Sequence, residues 1–551
     1  MATPSNPLDR IIHPVINDDG SVHYPSMMSP LSPNKLPAVC PMLPDRIIPV
    51  VFVPGVMGTN LKNGSGKPVW LVDGKISMAG WAFKSAVDRK QILDPHTTDV
   101  CGKGALPKDS PLSQDEMRRR GWGEVAAKSY SDFLVWLETH LNDSHAGTDY
   151  GRKGLRAELM EKAVDPSLDL PYLTHDEVAT AYRYQLPVHA VGYNWLQSNA
   201  ASAQRLHDQI NKFTQYYRDR GKRCEKVILV THSMGGFVAR YFSEVLATTK
   251  EDPIRNANKV LGIVHAVMPT TGAGTAYKRV KAGSDGAPGV RLVLGDDAAK
   301  VTAVFAQAPG PLQLLPSNDY GKGWLKLRDG QHVVSLPSPN GDPYSEIYLQ
   351  RGKWWSLIDD RLINPLNTAT KTLDQDWKNY TSLIKNHVMT FHRDVSRQYH
   401  RNTYAFYGAD TAKKAWGDVT WKRAVTHALD GTVPTLTPYI SDLQGGQTIR
   451  DAGQGVQTVS MEVDTPRAQQ NVAFVLQDAD ENGDGTVPLR SGNALKGERG
   501  VQVCVPFAVC DHEGAYIEDE ENPGPGRRRF TLWAITKIAY EIRNTALAYR
   551  P

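Results

Sequence analysis

The 551-residue chain has little cysteine, no long apolar run and no excess of one charge. Its five cysteines, an odd number spread from Cys40 to Cys510, do not form a disulfide framework, and no pair has the Cys-x-x-Cys spacing of a metal site. No stretch of about 18 residues is uninterruptedly apolar, so no transmembrane helix is predicted. The net charge of +4 is spread without a basic block, and the sequence therefore does not predict nucleic-acid binding.

The N-terminus also lacks the features of a secretory leader. Residues 1–45 are rich in Pro, Ser, Asn and Asp, and they contain no basic start followed by an apolar segment. We therefore expect an irregular N-terminal tail over 1–45 on a protein made in the cytoplasm without a signal peptide. Cys504 and Cys510 lie close together in sequence, but cysteines beside a buried strand are more often free thiols, and we expect free thiols here.

Short β-branched runs alternate with amphipathic segments along much of the chain. Strands are predicted at 47–53, 188–193, 227–230, 260–264, 403–408, 472–476 and 501–509. Helices are predicted at 124–141, 201–220, 234–247, 377–398 and 530–548. This alternation predicts an α/β fold over 46–551, with a mainly parallel sheet and helices on both faces. Regular alternation lapses at about 62–187 and 270–402, where we expect insertions that form a cap or lid.

The hexapeptide from Thr231 to Gly236 lies between a predicted buried strand and a predicted helix. This is the setting of a nucleophile elbow, in which a tight turn raises the Ser233 hydroxyl above the sheet edge. The following amide, that of Met234, would lie at a helix N-terminus and could stabilise an oxyanion. The usual pattern is Gly-x-Ser-x-Gly, and Thr231 departs from it. The alternative is that Ser233 only caps the helix, but the flanking elements favour the nucleophile.

A second oxyanion donor is expected from the loop that follows the first predicted strand. Residues 54–59 read Pro-Gly-Val-Met-Gly-Thr, and the glycines let the backbone turn its N–H groups toward a site. The Val56 amide is the first candidate and the Met57 amide the second. The alternative is an ordinary Pro-Gly turn.

The order nucleophile, acid, histidine is the chain order of this arrangement. The pentapeptide Asp-Gly-Thr-Val-Pro occurs twice, beginning at Asp430 and at Asp484. Asp484 is favoured as the acid because it follows the predicted strand 472–476, which would hold it rigidly. His512 follows the next strand and would take the serine proton, while the acid fixes its tautomer. The side chain of His232 diverges from that of its neighbour Ser233, which argues against His232 as the base.

A calcium loop is an alternative interpretation of the region around Asp484. Asp478, Asp480 and Asn482, followed by Gly483, match the start of an EF-hand loop. Position twelve of that motif should be Glu, but Leu489 stands there, and no helix pair brackets the segment. We therefore expect no cofactor, with calcium bound by these oxygens as the alternative.

Several of these segments together resemble the lipase branch of the α/β hydrolases. The resemblance is to the lecithin:cholesterol acyltransferase and lysosomal phospholipase group and to the GPI-inositol deacylase-like lipases. It is carried by residues 53–61, Pro68-Val69-Trp70, Tyr193-Asn194-Trp195, Thr231 to Gly236, Leu314-Leu315-Pro316, Gly483 to Pro488 and His512. It implies a lipid acyl ester as substrate, most readily a phospholipid at a bilayer surface, cleaved through a Ser233 acyl-enzyme.

The chain also resembles the antibacterial lipase effectors that bacteria export by type VI secretion, which need no signal peptide either. That likeness implies a leader-independent export route, secretion-apparatus partners and an immunity protein. Acyl transfer by the same triad, or a non-catalytic binding module on a decayed hydrolase fold, are the alternative functions. Six apolar residues would line a lipid cleft or enter a lipid surface, or would pack the cap's own core: Val304, Phe305, Leu314, Trp354, Trp355 and Leu357.

Overall fold

The computed structural model describes most of the chain beyond position 43. The described ranges are 44–71, 80–81, 83–143, 154–246, 258–284, 295–367, 370–424, 439–451, 455–464, 467–519 and 524–549, with four two-residue strands nearer the N-terminus. Those four strands pair as a parallel and an antiparallel ladder, so the tail predicted to be irregular contains short regular segments.

The strands, in chain order, are β1 Arg10–Ile11, β2 Val15–Ile16, β3 Val22–His23, β4 Ala38–Val39, β5 Val50–Val53, β6 Leu61–Asn63, β7 Pro68–Trp70, β8 Thr98–Val100, β9 Val188–Ala190, β10 Val227–His232, β11 Val260–Ala266, β12 Leu325–Asp329, β13 His332–Leu336, β14 Thr403–Gly408, β15 Asp410–Ala415, β16 Val419–Arg423, β17 Gln447–Asp451, β18 Val456–Asp464, β19 Arg467–Leu476, β20 Glu481–Gly483 and β21 Val501–Phe507.

The helices are α1 Ala86–Ile92, α2 Gln114–Arg119, α3 Ala127–Leu141, α4 Leu155–Glu158, α5 His175–Ala181, α6 Asn199–Arg218, α7 Gly235–Arg240, α8 Gly274–Ala282, α9 Ala298–Phe305, α10 Pro309–Leu312, α11 Thr370–Leu383, α12 Thr390–Val395, α13 Leu489–Gly492 and α14 Gly526–Tyr540. A π-helical turn continues α7 over Tyr241–Val245, and another joins α11 to α12 over Ile384–Met389.

A six-stranded sheet with parallel strands forms the centre of the fold, in the order β21-β14-β11-β10-β5-β9. We call it the parallel sheet. All six strands were predicted. The reason is physical: strands buried on both faces are continuous β-branched or aromatic runs, as in Val50–Val53 and Val227–His232, which are fully buried.

Alternate residues of each parallel strand point to opposite faces, and each face has its own hydrophobic core. Val51 and Val53 belong to one core, with α6 and α7, whereas Val50 and Phe52 belong to the other, with α3, α5 and α14. Helices therefore cover both faces, and the predicted α/β-hydrolase architecture is confirmed in this respect. Within the described ranges, no helix is long and apolar enough to cross a bilayer.

A second six-stranded sheet, in the order β13-β12-β16-β19-β18-β17, was not predicted. Its strands pair antiparallel except for β12 with β16. We call it the antiparallel sheet. The predicted strand 472–476 belongs to it as the end of β19, and not to the parallel sheet, so the expectation that a core strand directly precedes Asp484 is wrong.

The boundaries of the predicted insertions also need correction. Helices α3 and α5 lie inside the predicted insertion 62–187, yet they pack on the parallel sheet as part of its core. The second predicted insertion, 270–402, supplies only β12 and β13 to the antiparallel sheet, and its other four strands come from 419–476. That sheet is thus built from both sides of β14.

The four described cysteines are free and buried: Cys101, Cys224, Cys504 and Cys510. The expectation of free thiols at Cys504 and Cys510 is confirmed. Cys40 lies outside the described residues.

Candidate active site

Ser233 lies in the turn between β10 and α7, at the carboxyl end of the parallel sheet. Its φ is +51°, in the left-handed region that a side-chain-bearing residue rarely adopts. The turn is held because the Ser233 amide donates to the Ala266 carbonyl at the end of β11, at 2.9 Å. Strand, strained serine and helix therefore form the predicted elbow geometry.

The surroundings of Ser233 explain why the usual glycine is kept at Gly235 and why Thr231 can replace the other one. A Cβ at Gly235 would collide with the carbonyl oxygens of Val53 and Pro54 in the adjacent strand end. At the other position Thr231 is tolerated, because its hydroxyl is paired with the His265 Nδ1 at 2.8 Å and is fully buried against β11. The hydrogen bond to β11 thus accommodates the residue at which the motif departs from the usual glycine.

The structure brings together the three residues predicted as a triad. The His512 Nε2 lies 2.8 Å from the Ser233 Oγ, and its Nδ1 lies 2.8 Å from the Asp484 Oδ2. A carboxylate only accepts, so Nδ1 carries the proton, and Nε2 is the acceptor for the serine hydroxyl. Ser233 is only 3% exposed and Asp484 only 1%.

Asp484 is fixed by its own loop and not by the strand that was expected to precede it. Its Oδ1 accepts the amides of Thr486 at 3.0 Å and Val487 at 2.7 Å. The short strand β20 leads into it and pairs with β15, which follows the parallel strand β14. Asp484 packs so tightly on the end of β14 that a Cβ at Gly408 would lie 2.6 Å from the Asp484 Cβ.

Asp430 and Asp410 are two other candidates for the acid. Asp430, the alternative weighed on the repeated pentapeptide, lies outside the described residues. Asp410 stands just after β14 and is buried, but its Oδ1 accepts the amide of Ala412 in its own turn, at 2.8 Å. Of the described carboxylates, the one hydrogen-bonded to the His512 ring is Asp484.

The predicted oxyanion loop forms a tight turn directly beside Ser233. The Gly58 amide donates to the Gly55 carbonyl at 3.1 Å, so Val56 and Met57 are the central residues of the turn. Met57 has φ +65°, as the third position of a type II turn requires. A Cβ at Gly55 would lie 3.1 Å from that of Ser233, which shows how closely the loop approaches the elbow.

Aromatic residues of the motifs 68–70 and 193–195 hold this loop through hydrogen bonds to its backbone carbonyls. The Trp70 indole donates to the Met57 carbonyl at 3.0 Å, and the Tyr193 hydroxyl donates to the Pro54 carbonyl at 2.9 Å. Trp195 packs edge-on against Trp70, with ring centroids 5.0 Å apart. The motif residues that were distant in sequence thus surround one turn.

Two residues near the triad were not predicted to contribute. Tyr130 of α3 and His232 are both buried and hydrogen-bonded to each other, with 2.9 Å between the Tyr130 hydroxyl and the His232 Nδ1. A partial signal for His232 was present in the sequence, because this residue directly precedes Ser233. No such signal was present for Tyr130, because α3 lies in a stretch that was interpreted as an insertion.

Asp480, one of the three residues considered for calcium, has other partners. The Asp480 carboxylate accepts the amides of Gly417 and Asp418, at 2.9 and 3.0 Å. Its neighbour Glu481 binds the guanidinium of Arg490. In the described part of the chain, no three acidic, His or Cys side chains are grouped so that they could hold a metal ion.

The apolar residues proposed for a lipid cleft mostly pack the interior. Trp354, Trp355 and Leu357 are buried, as are Val304 and Phe305, whereas Leu314 is half-buried. Trp354 stacks on Phe474 of β19, with centroids 4.2 Å apart. Of the two interpretations given for the tryptophan pair, core packing is confirmed and insertion into a lipid surface is excluded, because both indoles are buried beside the antiparallel sheet.

Comparisons with known proteins agree with the fold and with the region of the elbow. Residues 194–264, which include β10, Ser233 and most of β11, match the family described as PGAP1, PGAP1-like alpha/beta domain. A solved structure described as the crystal structure of the Tle4-Tli4 complex is similar with a TM-score of 0.70 and 28% identity, over 89% of this chain and 98% of that chain.

A second solved structure, phospholipase PlaB from Legionella pneumophila, matches over 58% of this chain and 85% of that chain, at 12% identity. Its TM-score of 0.14 is too low to support an inference. No curated protein sequence matches the chain. The central parallel sheet, the PGAP1-like match at the elbow and the chain-wide similarity to the Tle4-Tli4 structure together show that this chain has the α/β-hydrolase fold and resembles the lipases that share it.

Proposed function

We propose that the protein is a serine esterase that hydrolyses lipid acyl esters, with phospholipids as the substrate class. The observation that carries the proposal is the hydrogen-bonded series Ser233, His512 and Asp484 at the carboxyl end of the parallel sheet. A serine in a strained turn, with an acceptor nitrogen 2.8 Å away, is the arrangement that activates a hydroxyl for acyl transfer.

The reaction follows from the positions of these atoms. The Ser233 Oγ attacks the ester carbonyl carbon while its proton moves to the His512 Nε2, and Asp484 stabilises the resulting imidazolium. The tetrahedral intermediate expels the alcohol, which takes that proton, and leaves an acyl-Ser233. Water, deprotonated by His512, then attacks the acyl carbon and releases the fatty acid and free Ser233.

The negative oxygen of each tetrahedral intermediate needs backbone donors. The amide of Met234 follows Ser233 at the start of α7, and the amides of Val56 and Met57 belong to the turn on the other side of the elbow. In this proposal Met234 and Val56 donate, with Met57 as the second choice from the loop. Fixed donors of this kind contribute about 100- to 1,000-fold each to the acylation rate.

The biological setting is proposed from the chain-wide similarity to the Tle4-Tli4 structure. By that likeness the protein is an antibacterial effector that leaves the producing cell by type VI secretion and acts on the membrane lipids of a target cell. The second name in that complex favours a protein partner here, in the role of an immunity protein that inhibits the enzyme, alongside partners in the secretion apparatus.

The test uses the whole protein and mixed vesicles of phosphatidylethanolamine and phosphatidylglycerol carrying labelled acyl chains. Wild type is expected to release labelled fatty acid, and Ser233→Ala is expected to lose activity by about 10⁴-fold or more, because no other group can form the acyl-enzyme. A fluorophosphonate probe should label wild type at Ser233. Absence of fatty-acid release by wild type, or equal release by Ser233→Ala, contradicts the proposal.

Two other functions give different results in the same experiment. An acyltransferase would yield acylated alcohol in place of fatty acid when an alcohol acceptor is added. A binding module on a decayed fold would bind vesicles without release and would not react with the probe. Vesicles prepared with EDTA test the calcium alternative, in which release would depend on the free metal ion.

A further inference from the structure

A line of hydrogen bonds behind the triad joins the oxyanion loop to the backbone of the catalytic histidine. The Gly55 amide lies 3.2 Å from the Tyr130 hydroxyl, which lies 2.9 Å from the His232 Nδ1. On the far side of the ring, the His232 Nε2 lies 2.7 Å from the His512 carbonyl oxygen. Four residues, distant in sequence, thus form one connected path around Ser233.

The chemistry of the end groups fixes the direction of every bond in this path. The His512 carbonyl only accepts, so the His232 Nε2 carries the proton and its Nδ1 is an acceptor. The Tyr130 hydroxyl must then donate to Nδ1, and its oxygen accepts the Gly55 amide. Each group is satisfied in one way only, which makes the path a rigid connection and not a set of exchangeable contacts.

The environment keeps this arrangement in one protonation state. Tyr130 and His232 are 3% and 4% exposed. Burial, with a smaller contribution from the neighbouring His512, lowers the pKa of His232 to about 3. Burial likewise raises the pKa of Tyr130 above its ordinary value. Both side chains are therefore neutral wherever an esterase of this type works, and neither competes with His512 for the serine proton.

The loop is shaped around the Tyr130 hydroxyl. A Cβ at Gly58 would lie 2.7 Å from that oxygen, and a Cβ at Gly55 would lie 2.8 Å from the His232 Nδ1. Both glycines of the oxyanion loop are therefore required by the Tyr130–His232 pair, in addition to the turn itself. Helix α3, which supplies Tyr130, packs on the parallel sheet through Phe133, whose ring centroid lies 5.7 Å from that of Phe52.

We propose that Tyr130 and His232 are positioning residues that set the oxyanion loop and the His512 backbone at the correct distance from Ser233. The inference rests on the proposed function, because it presumes that Ser233 attacks an ester. Neither side chain exchanges a proton with substrate. They act through the Gly55 amide and the His512 carbonyl, so their loss is expected to slow chemistry more than it weakens substrate binding.

The test compares Tyr130→Phe with wild type in the hydrolysis of a soluble p-nitrophenyl butyrate. Removing the hydroxyl breaks two bonds of the path and leaves the ring in place. We expect kcat to fall about 10- to 100-fold, with KM changed less than about threefold, since a displaced loop affects mainly the transition state. The rate of fluorophosphonate labelling at Ser233 should fall in parallel with kcat.

The chain offers a matched control with the same bonds in another place. The Tyr344 hydroxyl lies 2.8 Å from the His392 Nδ1, and the His392 Nε2 lies 2.8 Å from the Gln313 carbonyl, with both side chains buried. Tyr344→Phe should lower the unfolding midpoint about as much as Tyr130→Phe, yet leave kcat within about twofold, because that pair touches neither loop nor triad.

A second pair of variants tests the link to His512 alone. His232→Gln can still place an amide donor near the His512 carbonyl, whereas His232→Leu cannot. The glutamine variant is expected to retain several times the kcat of the leucine variant at equal stability.

The outcomes separate the two hypotheses. If wild type does not react with the probe, the proposed function fails. If wild type reacts and Tyr130→Phe keeps its kcat, or loses no more than Tyr344→Phe, the positioning role is overturned while the proposed function stands. Equal kcat values for His232→Gln and His232→Leu also overturn the role of the His512 link.

Discussion

The parallel and antiparallel sheets each have six strands, but they bury them differently. Strands β10 and β11 of the parallel sheet are buried at every position, whereas β18 of the antiparallel sheet alternates between buried and more accessible residues along its length. The first pattern is that of a sheet covered on both faces, and the second that of a sheet with one core face. The carboxyl ends of the parallel strands hold Ser233, and the neighbouring two-stranded ladder of β15 and β20 leads into Asp484. We therefore expect substitutions at the end of the parallel sheet to affect the chemistry most, and substitutions in the core of the antiparallel sheet to affect stability most.

The largest expected effect concerns the acid at the edge of the parallel sheet. Asp484→Asn should lower kcat for ester hydrolysis by about 10⁴-fold, because the amide cannot hold the His512 ring in the required tautomer. The unfolding midpoint should change little, since an amide oxygen can still accept the Thr486 and Val487 amides. The measurement is kcat on a p-nitrophenyl ester together with thermal unfolding.

Two matched controls sharpen this prediction. Asp430→Asn changes the same pentapeptide at its other copy, and Asp410→Asn changes the buried carboxylate just after β14. Each should cost less than about tenfold in kcat, because a residue outside the triad acts only through its surroundings. A loss at Asp430 that equals the loss at Asp484 would reverse the assignment of the acid.

The next largest effect is on the free energy of unfolding and concerns Trp354, beside the antiparallel sheet. Trp354→Ala removes an indole that is fully buried, stacks on Phe474 and donates to the Leu443 carbonyl at 3.1 Å. We expect the free energy of unfolding to fall by about 3–5 kcal/mol. Labelling of Ser233 in the molecules that remain folded should keep its rate.

The control for size and aromaticity is Phe83→Ala, which removes a side chain that is 91% exposed. It should change the free energy of unfolding by less than about 0.5 kcal/mol in urea titration. If Trp354→Ala instead slowed labelling at Ser233 without lowering stability, the expectation that the antiparallel sheet affects stability and not chemistry would be refuted.

The smallest expected effect concerns a buried lysine beside the antiparallel sheet. Lys281 of α8 is 6% exposed, and burial lowers its pKa to about 8, partly offset by the carboxylates of Asp451 and Asp359. Between pH 8 and its ordinary value of 10.5, the unfolded chain binds a proton that the folded chain has lost. The free energy of unfolding therefore rises with pH over that interval, and below pH 8 the cost of burying the charge is fully present.

Lys281→Met should remove this slope and stabilise the protein at pH 7 by about 1–3 kcal/mol, as measured in urea titrations at pH 7 and pH 10. Arg120→Met is the contrasting control, since Arg120 is buried near the parallel sheet and paired with Glu116 at 2.6 Å and Glu138 at 3.0 Å. It should destabilise, because it leaves the buried Glu138 without its guanidinium partner, while Glu116 keeps Arg119. If both changes stabilised the protein, the buried charge would be unfavourable in both regions, and the expected difference between Lys281 and Arg120 would be refuted.

The same contrast explains what the sequence could predict. Val227–His232 and Thr403–Gly408 are continuous runs of strand-forming residues, so all the parallel strands were found. Strand β17, with exposed Gln447 and Asp451, has no such run, and the antiparallel sheet went unrecognised. The triad residues Ser233, Asp484 and His512 could be proposed from chain order and loop type. Tyr130 could not, because its role depends on which helix packs on the sheet.

The path of the chain between β14 and Asp484 has a further consequence. Gly408 touches Asp484, yet the backbone reaches the acid only after it has built β16 to β19 of the antiparallel sheet. That sheet is therefore not an accessory module that could be cut away to leave a minimal hydrolase. A truncation that keeps every parallel strand but removes β16 to β19 would need a new connection between β14 and Asp484, so the proposed triad requires a chain that contains both sheets.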